Sequence, residues 1–171
     1  MANGNPRPSM RKRRLHRSGV HMSELGFGGV PLGNLYSAVD DRQAADTINA
    51  ACDSDINFFD TAEIYPSPCF EKTYGSTEKI IGNWLNKKKN RDKVILASKI
   101  SGPGLPWIRG GNQQYSKQSI EDAIENSLKR LQTDYIDLYQ LHWPERKTNF
   151  FGRLGYNHKE EETHHFEGNW N

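Results

Sequence analysis

The chain predicts an α/β fold in which parallel β-strands are joined by helices. Three observations carry that expectation. Short apolar runs alternate with stretches whose apolar residues recur at helical spacing, in the order β-α-β-α-β-α-β. Three of the runs end on a charged or titratable residue, at Asp60, Lys99 and His142. The length, 171 residues, is enough for one domain with a real core.

The elements follow in order. Residues 1–12 read as a basic, disordered extension, and Arg13 to Met22 as a hairpin turning at Ser18-Gly19. Leu25 to Gly28 is a candidate first strand, followed by a Gly/Pro loop through Asn34. From Asp41 to Ser54, Ala45, Ile48 and Cys52 keep helical spacing, and Ile56 to Asp60 then reads as a buried strand. Ser76 to Lys88 places Ile80, Ile81, Trp84 and Leu85 on one side of a helix. Its closing lysines suit the helix dipole, whereas Gly82 weakens it. Val94 to Lys99 is a short apolar strand. Ser119-Ile120-Glu121-Asp122 predicts a capping box, with Ile120, Ala123, Ile124, Leu128 and Leu131 forming the stripe that follows. Tyr135 to His142 is the fourth strand. Repeated strand–helix–strand order predicts right-handed crossovers. Residues 13–147 thus form the domain. Residues 148–171, rich in Asn, Glu, His and Gly, read as a polar loop or disordered tail.

Composition narrows the function. The net charge is +2, which gives no general case for a nucleic-acid or membrane partner. The basic run Arg11 to Arg14 is read as a solvated arm, with phosphate contact as a weaker alternative that salt would abolish. No apolar run approaches the roughly 20 residues of a membrane span, and no apolar stretch follows the basic start as in a secretory signal. Cys52 and Cys69 are too far apart for a zinc pattern. The histidines and glutamates of the tail (His158, His164, His165, Glu160 to Glu162) lack a register that would fix a metal, so none is expected. A reduced, cytoplasmic protein fits these features.

Side chains alternate along a strand with period two. Asp60 therefore shares a face with Phe58 and Ile56, Lys99 with Ala97 and Ile95, and His142 with Gln140, Leu138 and Ile136. Each polar residue ends a largely apolar face at the carboxyl end of its strand, where parallel α/β folds place their chemistry. Tyr65 lies in the loop after Asp60, close enough to fold back over that rim. Together they can reduce a carbonyl. A phenol can protonate the oxygen on which charge builds, although its ordinary pKa is about 10. A neighbouring ammonium, Lys99, favours phenolate, and Asp60 balances the lysine. His142 can hydrogen-bond the oxygen and orient it. Hydride must come from a nicotinamide. Each residue also has a plainer role: Asp60 as a turn cap, Lys99 as a solvated strand end, His142 as a packed loop histidine and Tyr65 as a turn aromatic. Their joint placement at successive strand ends favours the site.

In order and spacing, Phe59-Asp60-Thr61-Ala62-Glu63-Ile64-Tyr65, Gly75 to Gly82, Ala97-Ser98-Lys99 and Asp137 to His142 resemble the amino-terminal half of an aldo-keto reductase. Phe59 to Tyr156 is most similar to the bacterial Tas-type branch. The run Leu25-Gly26-Phe27-Gly28-Gly29-Val30 onward to Tyr36 resembles the sugar dehydrogenases that oxidise fucose or galactose. The resemblance implies a (β/α)8 TIM barrel, here its first four βα units behind an N-terminal hairpin, and NADPH or NADP⁺ as cofactor. It places Asp60, Tyr65, Lys99 and His142 on the family's catalytic tetrad, with Tyr65 as the acid. It sets Gly28, Gly29 and Val30, with Asp60, beside the nicotinamide, and Tyr36, Trp107 and Trp143 around a pocket for a small carbonyl substrate. Those aromatics would equally serve to pack their loops down.

A closed eight-fold barrel takes about 250 residues, so an incomplete barrel is expected, with exposed sheet edges that invite self-association. The motifs that would grip the pyrophosphate and the 2′-phosphate are missing, and Gly26-Phe27-Gly28-Gly29 lacks the third glycine of a dinucleotide fingerprint. Two functions stay open. One is an NADP(H)-dependent oxidoreductase present as a truncated, inactive fragment. The other is a non-catalytic binding or auxiliary subunit on the same fold.

Overall fold

The computed structural model describes residues 9–33, 40–111, 115–145 and 155. The extension before residue 9, Tyr36 and the histidines of the tail lie outside the described residues. Strands β1 (Lys12–Arg14) and β2 (His21–Ser23) pair antiparallel as the hairpin. Strands β3 (Gly26–Gly28), β4 (Phe58–Asp60), β5 (Ile95–Ile100) and β6 (Leu138–Leu141) form a parallel sheet in that order. Helices α1 (Asp41–Asp53), α2 (Ser76–Lys88) and α3 (Lys117–Leu131) make the crossovers. Among the described residues the sheet has four strands and does not close.

The register fixes two faces. Gly28, Asp60 and Ala97 are partners across the sheet, as are Lys99 and Gln140. The opposite face carries Phe59, Leu96 and Ser98, all fully buried. There Phe59 and Leu96 meet Ala44 and Ile48 of α1, Ile81, Trp84 and Leu85 of α2 and Leu131 of α3. Burying such side chains contributes roughly 1.5–3 kcal/mol each. The core face of α1 is set by Ala44, Ile48 and Ala51, while Ala45 and Cys52 flank it half-buried. The spacing had centred that face on Ala45, Ile48 and Cys52. The buried face is thus turned by one residue, with Ala44 and Ala51 toward the sheet in place of Ala45 and Cys52.

Helix α3 starts earlier than the Ser119 motif suggested. Ser116 is its N-cap, accepting from the backbone N–H of Ser119. A serine three residues upstream of another serine offers the same cap chemistry with nearly one more turn of helix. Gly82, a weakness by propensity, is a contact point. A Cβ there would lie 2.7 Å from the carbonyl carbon of Leu131, so α2 and α3 touch backbone to backbone. At the amino-terminal rim of the sheet, Arg91 reaches Asp137 at 2.7 Å and the carbonyls of Val94 and Tyr135, and stacks over the Tyr135 ring.

Asn57 fastens the hairpin to the sheet. Its side chain accepts from the N–H of Ser23 at 2.7 Å and donates to the carbonyl of His21 at 3.0 Å, and its own N–H donates to Ser23 Oγ. Ser23 is buried, so Asn57→Ala strands its backbone donor. In urea unfolding, Asn57→Ala should lower stability by about 1–3 kcal/mol, and an unchanged midpoint would show that the hairpin is not anchored there.

Candidate active site

Four strand ends and one loop build the site. β4 ends at Asp60, and Lys99 lies two places beyond the β5 residue that pairs with it. The lysine therefore overshoots β4 and folds back. Its Nζ lies 2.6 Å from Asp60 Oδ2 and 2.8 Å from the Thr61 carbonyl oxygen. It also lies 3.4 Å from the Tyr65 hydroxyl and 4.9 Å from the centre of that ring. Gln140 donates to the second Asp60 oxygen at 3.3 Å. His142 stands one residue past β6, its backbone N–H bonded to the Ile100 carbonyl. Its ring meets the Tyr65 ring edge-on at 5.5 Å. Asp60, Tyr65, Lys99 and His142 are thus gathered at one rim.

The electrostatics differ in one respect from what the residue types suggest alone. A nearby ammonium lowers a phenol's pKa, yet Tyr65 is pushed up to about 12, by burial first and by the Asp60 carboxylate second. Asp60 absorbs the lysine's charge at 2.6 Å, and the phenol is left with the weaker contact. Lys99 itself is lowered from its ordinary value by burial, against the opposing pull of Asp60. His142 falls to about 4, through burial and then the Lys99 charge. At neutral pH the rim therefore holds a protonated phenol and a neutral imidazole.

The remaining expected site residues fall in different places. Gly28 opens toward the inner face, with no atom within 4 Å of where a Cβ would stand. Gly29 is held by packing, since a Cβ there would meet Thr77 Cγ2 at 3.0 Å and the Asp60 carbonyl oxygen at 3.1 Å. Val30, half-buried, follows in the turn. Trp143 is buried, donates to the Pro103 carbonyl at 3.3 Å and lies on Gly102, where a Cβ would come 2.5 Å from its Cε2. That is the arrangement of a loop-packing residue, with its ring 5.0 Å from that of His142. Trp107 is half-buried beside the cluster of Ala62, Ile64, Ile108 and Trp143, which Tyr65 also joins.

Two buried acids behind the rim were not singled out from the sequence. Glu63, between Asp60 and Tyr65, is fully buried and paired with Arg109 at 2.7 Å. Glu78, also fully buried, accepts from Ser98 Oγ and from Arg130, each at 2.6 Å. For Glu63 the signal was present: an acid inside an otherwise apolar loop segment, Ala62-Glu63-Ile64. Buried acids of this kind need dedicated cations.

The fold and rim define a βα-repeat protein with titratable side chains gathered at the carboxyl ends of parallel strands. Residues 24–166 match the aldo/keto reductase family, and the chain belongs to that family. It is 44% identical over 149 residues to the protein Tas of Escherichia coli, covering 86% of this chain and 42% of that protein. It is 39% identical to the aldo-keto reductase YhdN of Bacillus subtilis, over 75% of this chain and 36% of the relative. Among solved structures, the holo form of the aldo-keto reductase AKR11C1 from Bacillus halodurans superposes with a TM-score of 0.61 at 38% identity, covering 77% of this chain and 40% of that one. An aldo/keto reductase from Klebsiella pneumoniae, in complex with NADP and acetate, gives 0.55 at 32% identity, covering 73% of this chain and 37% of that one. The chain thus spans less than half the length of these relatives.

The His142 environment gives a pH test. Its ordinary pKa of 6.5 falls to about 4 in the fold. The unfolded chain therefore takes up this proton first as pH drops, and the contribution present above pH 6.5 is lost on the way down to about 4. Urea unfolding at pH 7 and pH 5 should differ by roughly 1–2 kcal/mol from this group. His142→Gln should remove that part of the slope. An identical slope in the variant would contradict the assignment.

Proposed function

We propose that this chain carries the proton-donating half of an NADP(H)-dependent oxidoreductase that interconverts a small aldehyde or ketone and an alcohol. The supporting observation is the Tyr65 hydroxyl 3.4 Å from Lys99 Nζ, beside the Lys99–Asp60 pair and edge-on to His142. Burial and Asp60 keep the phenol protonated, as a donor must be. In reduction, Tyr65 gives its proton to the carbonyl oxygen as charge builds there. Lys99, held by Asp60 and the Thr61 carbonyl, stabilises the phenolate left behind. His142, neutral at working pH, donates a hydrogen bond that orients the oxygen. When bound, the nicotinamide supplies hydride, which no side chain can.

The open side of Gly28, in register with Asp60, suits the approach of a flat ring, with Val30 next in the loop. Relatives solved with NADP and with NADPH support that cofactor. Because the chain spans 42% of the Tas protein, we take the grip on the rest of the dinucleotide to come from residues outside it. The isolated chain should then bind NADPH weakly and be inactive. A cytoplasmic setting is part of the same reading, supported by the two free cysteines and by the absence, among the described residues, of a helix long and apolar enough to cross a membrane. To test the acid, the chain is joined to the carboxyl-terminal portion of E. coli Tas and assayed for NADPH-dependent benzaldehyde reduction. Tyr65→Phe should lower kcat by about 10²–10⁴-fold, whereas undiminished turnover would remove Tyr65 from the role.

A second reading, a non-catalytic binding or auxiliary subunit, draws on the sheet. Strand β3 pairs on one side only among the described residues, and Leu25 and Leu141 are 60% and 53% exposed. Unpaired edges beside apolar surface favour association. Light scattering on the purified chain should then show a defined oligomer, and a monomer across the accessible concentration range would count against this reading.

A further inference from the structure

We propose that Glu63 is a positioning residue for the carbonyl site, holding the 101–111 loop in place through Arg109 so that the loop forms one wall beside Tyr65. The assignment to a carbonyl site rests on the oxidoreductase reading, whereas the clamp itself does not.

The geometry is a filled carboxylate. Oε1 accepts from Arg109 Nη2 at 2.7 Å and from the Ser101 backbone N–H, and Oε2 accepts from Arg109 Nη1 at 2.8 Å and from the Tyr74 hydroxyl at 3.0 Å. A carboxylate offers about four lone-pair sites, so its capacity is used up. Two of the four donors form the bidentate fork that only arginine supplies. The other contacts show what is gripped: Ser101 begins the loop and Arg109 stands near its end. One buried side chain therefore holds the loop at both ends.

The loop does not hold this course by itself. Arg109, Gly110 and Gly111 follow one another at φ 45°, 71° and 80°. For arginine that left-handed conformation is disfavoured and persists where tertiary contacts impose it. Glu63 is such a contact. Between the two grips lie Leu105, Trp107 and Ile108, all in the cluster that Tyr65 and Trp143 share. Pro103, on the same stretch, accepts the Trp143 indole, and Trp143 backs the His142 ring. The loop thus touches the surroundings of both the phenol and the imidazole. An apolar residue at 63 would fill the same volume without desolvating an ion pair. What the pair adds is a fixed loop position.

The test uses the full 171-residue chain and the indole N–H resonances of its tryptophans. Trp84, bonded to Asn49 in the helical core, is the internal reference. In Arg109→Met, the Trp107 and Trp143 resonances should shift and broaden while Trp84 stays in place. Arg109→Lys, which keeps the charge without the fork, should restore them in part, and Glu63→Gln should move the same two signals. Benzaldehyde titrated into the wild-type chain should perturb Trp107, with affinity falling at least about tenfold in Arg109→Met. Unmoved Trp107 and Trp143 signals in folded Arg109→Met and Glu63→Gln would overturn the proposal. A variant that also loses the Trp84 signal is unfolded, and Arg109→Lys then decides on the same resonances. Indoles that follow Arg109 while benzaldehyde leaves the wild type unperturbed would uphold the clamp and sink the carbonyl reading.

Discussion

The parallel register between β4 and β5 governs the site. Asp60 lies opposite Ala97, so Lys99 projects past the end of the shorter strand. An ammonium there must either enter solvent or turn back, and it turns back to Asp60 and the Thr61 carbonyl. β6 repeats the arrangement one strand over, where Gln140, the partner of Lys99, reaches the other Asp60 oxygen. A slip of one residue would send Lys99 to the helix face and Ser98 to the rim. Fully buried Phe59 and Leu96 would lose their places in the core as well. Hydrophobic pattern and chemistry are therefore set by the same alignment.

Behind the rim lies a layer of buried charge. Glu63–Arg109 and Glu78–Arg130 are joined by Tyr74, whose hydroxyl bonds Glu63 and whose ring lies 5.1 Å from the Arg130 guanidinium carbon. Removing one partner of a buried pair typically costs about 3–5 kcal/mol. That cost resists small displacements of the loops carrying Asp60 and Tyr65. At the other rim, Arg91 ties Asp137 to nearby backbone carbonyls. The two ends of the sheet are thus stiffened by different means, one close to Asp60 and Tyr65 and the other far from them.

Much of this was legible in the sequence, for physical reasons that differ by element. α2 was readable from Ser76 to Lys88 because its apolar stripe and its closing lysines agree. The rim residues were readable because period two and strand ends are local properties. The start of α3 was less so, since Ser116 and Ser119 offer equivalent cap chemistry and only packing chooses between them. The partners of Glu63 and Glu78 were not legible. Arg109 and Arg130 lie 46 and 52 residues away, and no local pattern links them. The Tyr65 environment was misjudged from residue types because the geometry lets Asp60 claim the lysine first.

Gly82 gives these relations a mechanical side. It lies one helical turn beyond Glu78 on α2, pressed against the backbone of Arg130 and Leu131. Arg130 thus has its main chain against one residue of that face and its guanidinium on the other. The absent side chain works as a spacer of zero thickness: it sets the gap across which a charge must reach. Any atom inserted there would be felt first as distance and then as voltage, since lifting α3 would draw Arg130 away from an acid that has no water to replace it.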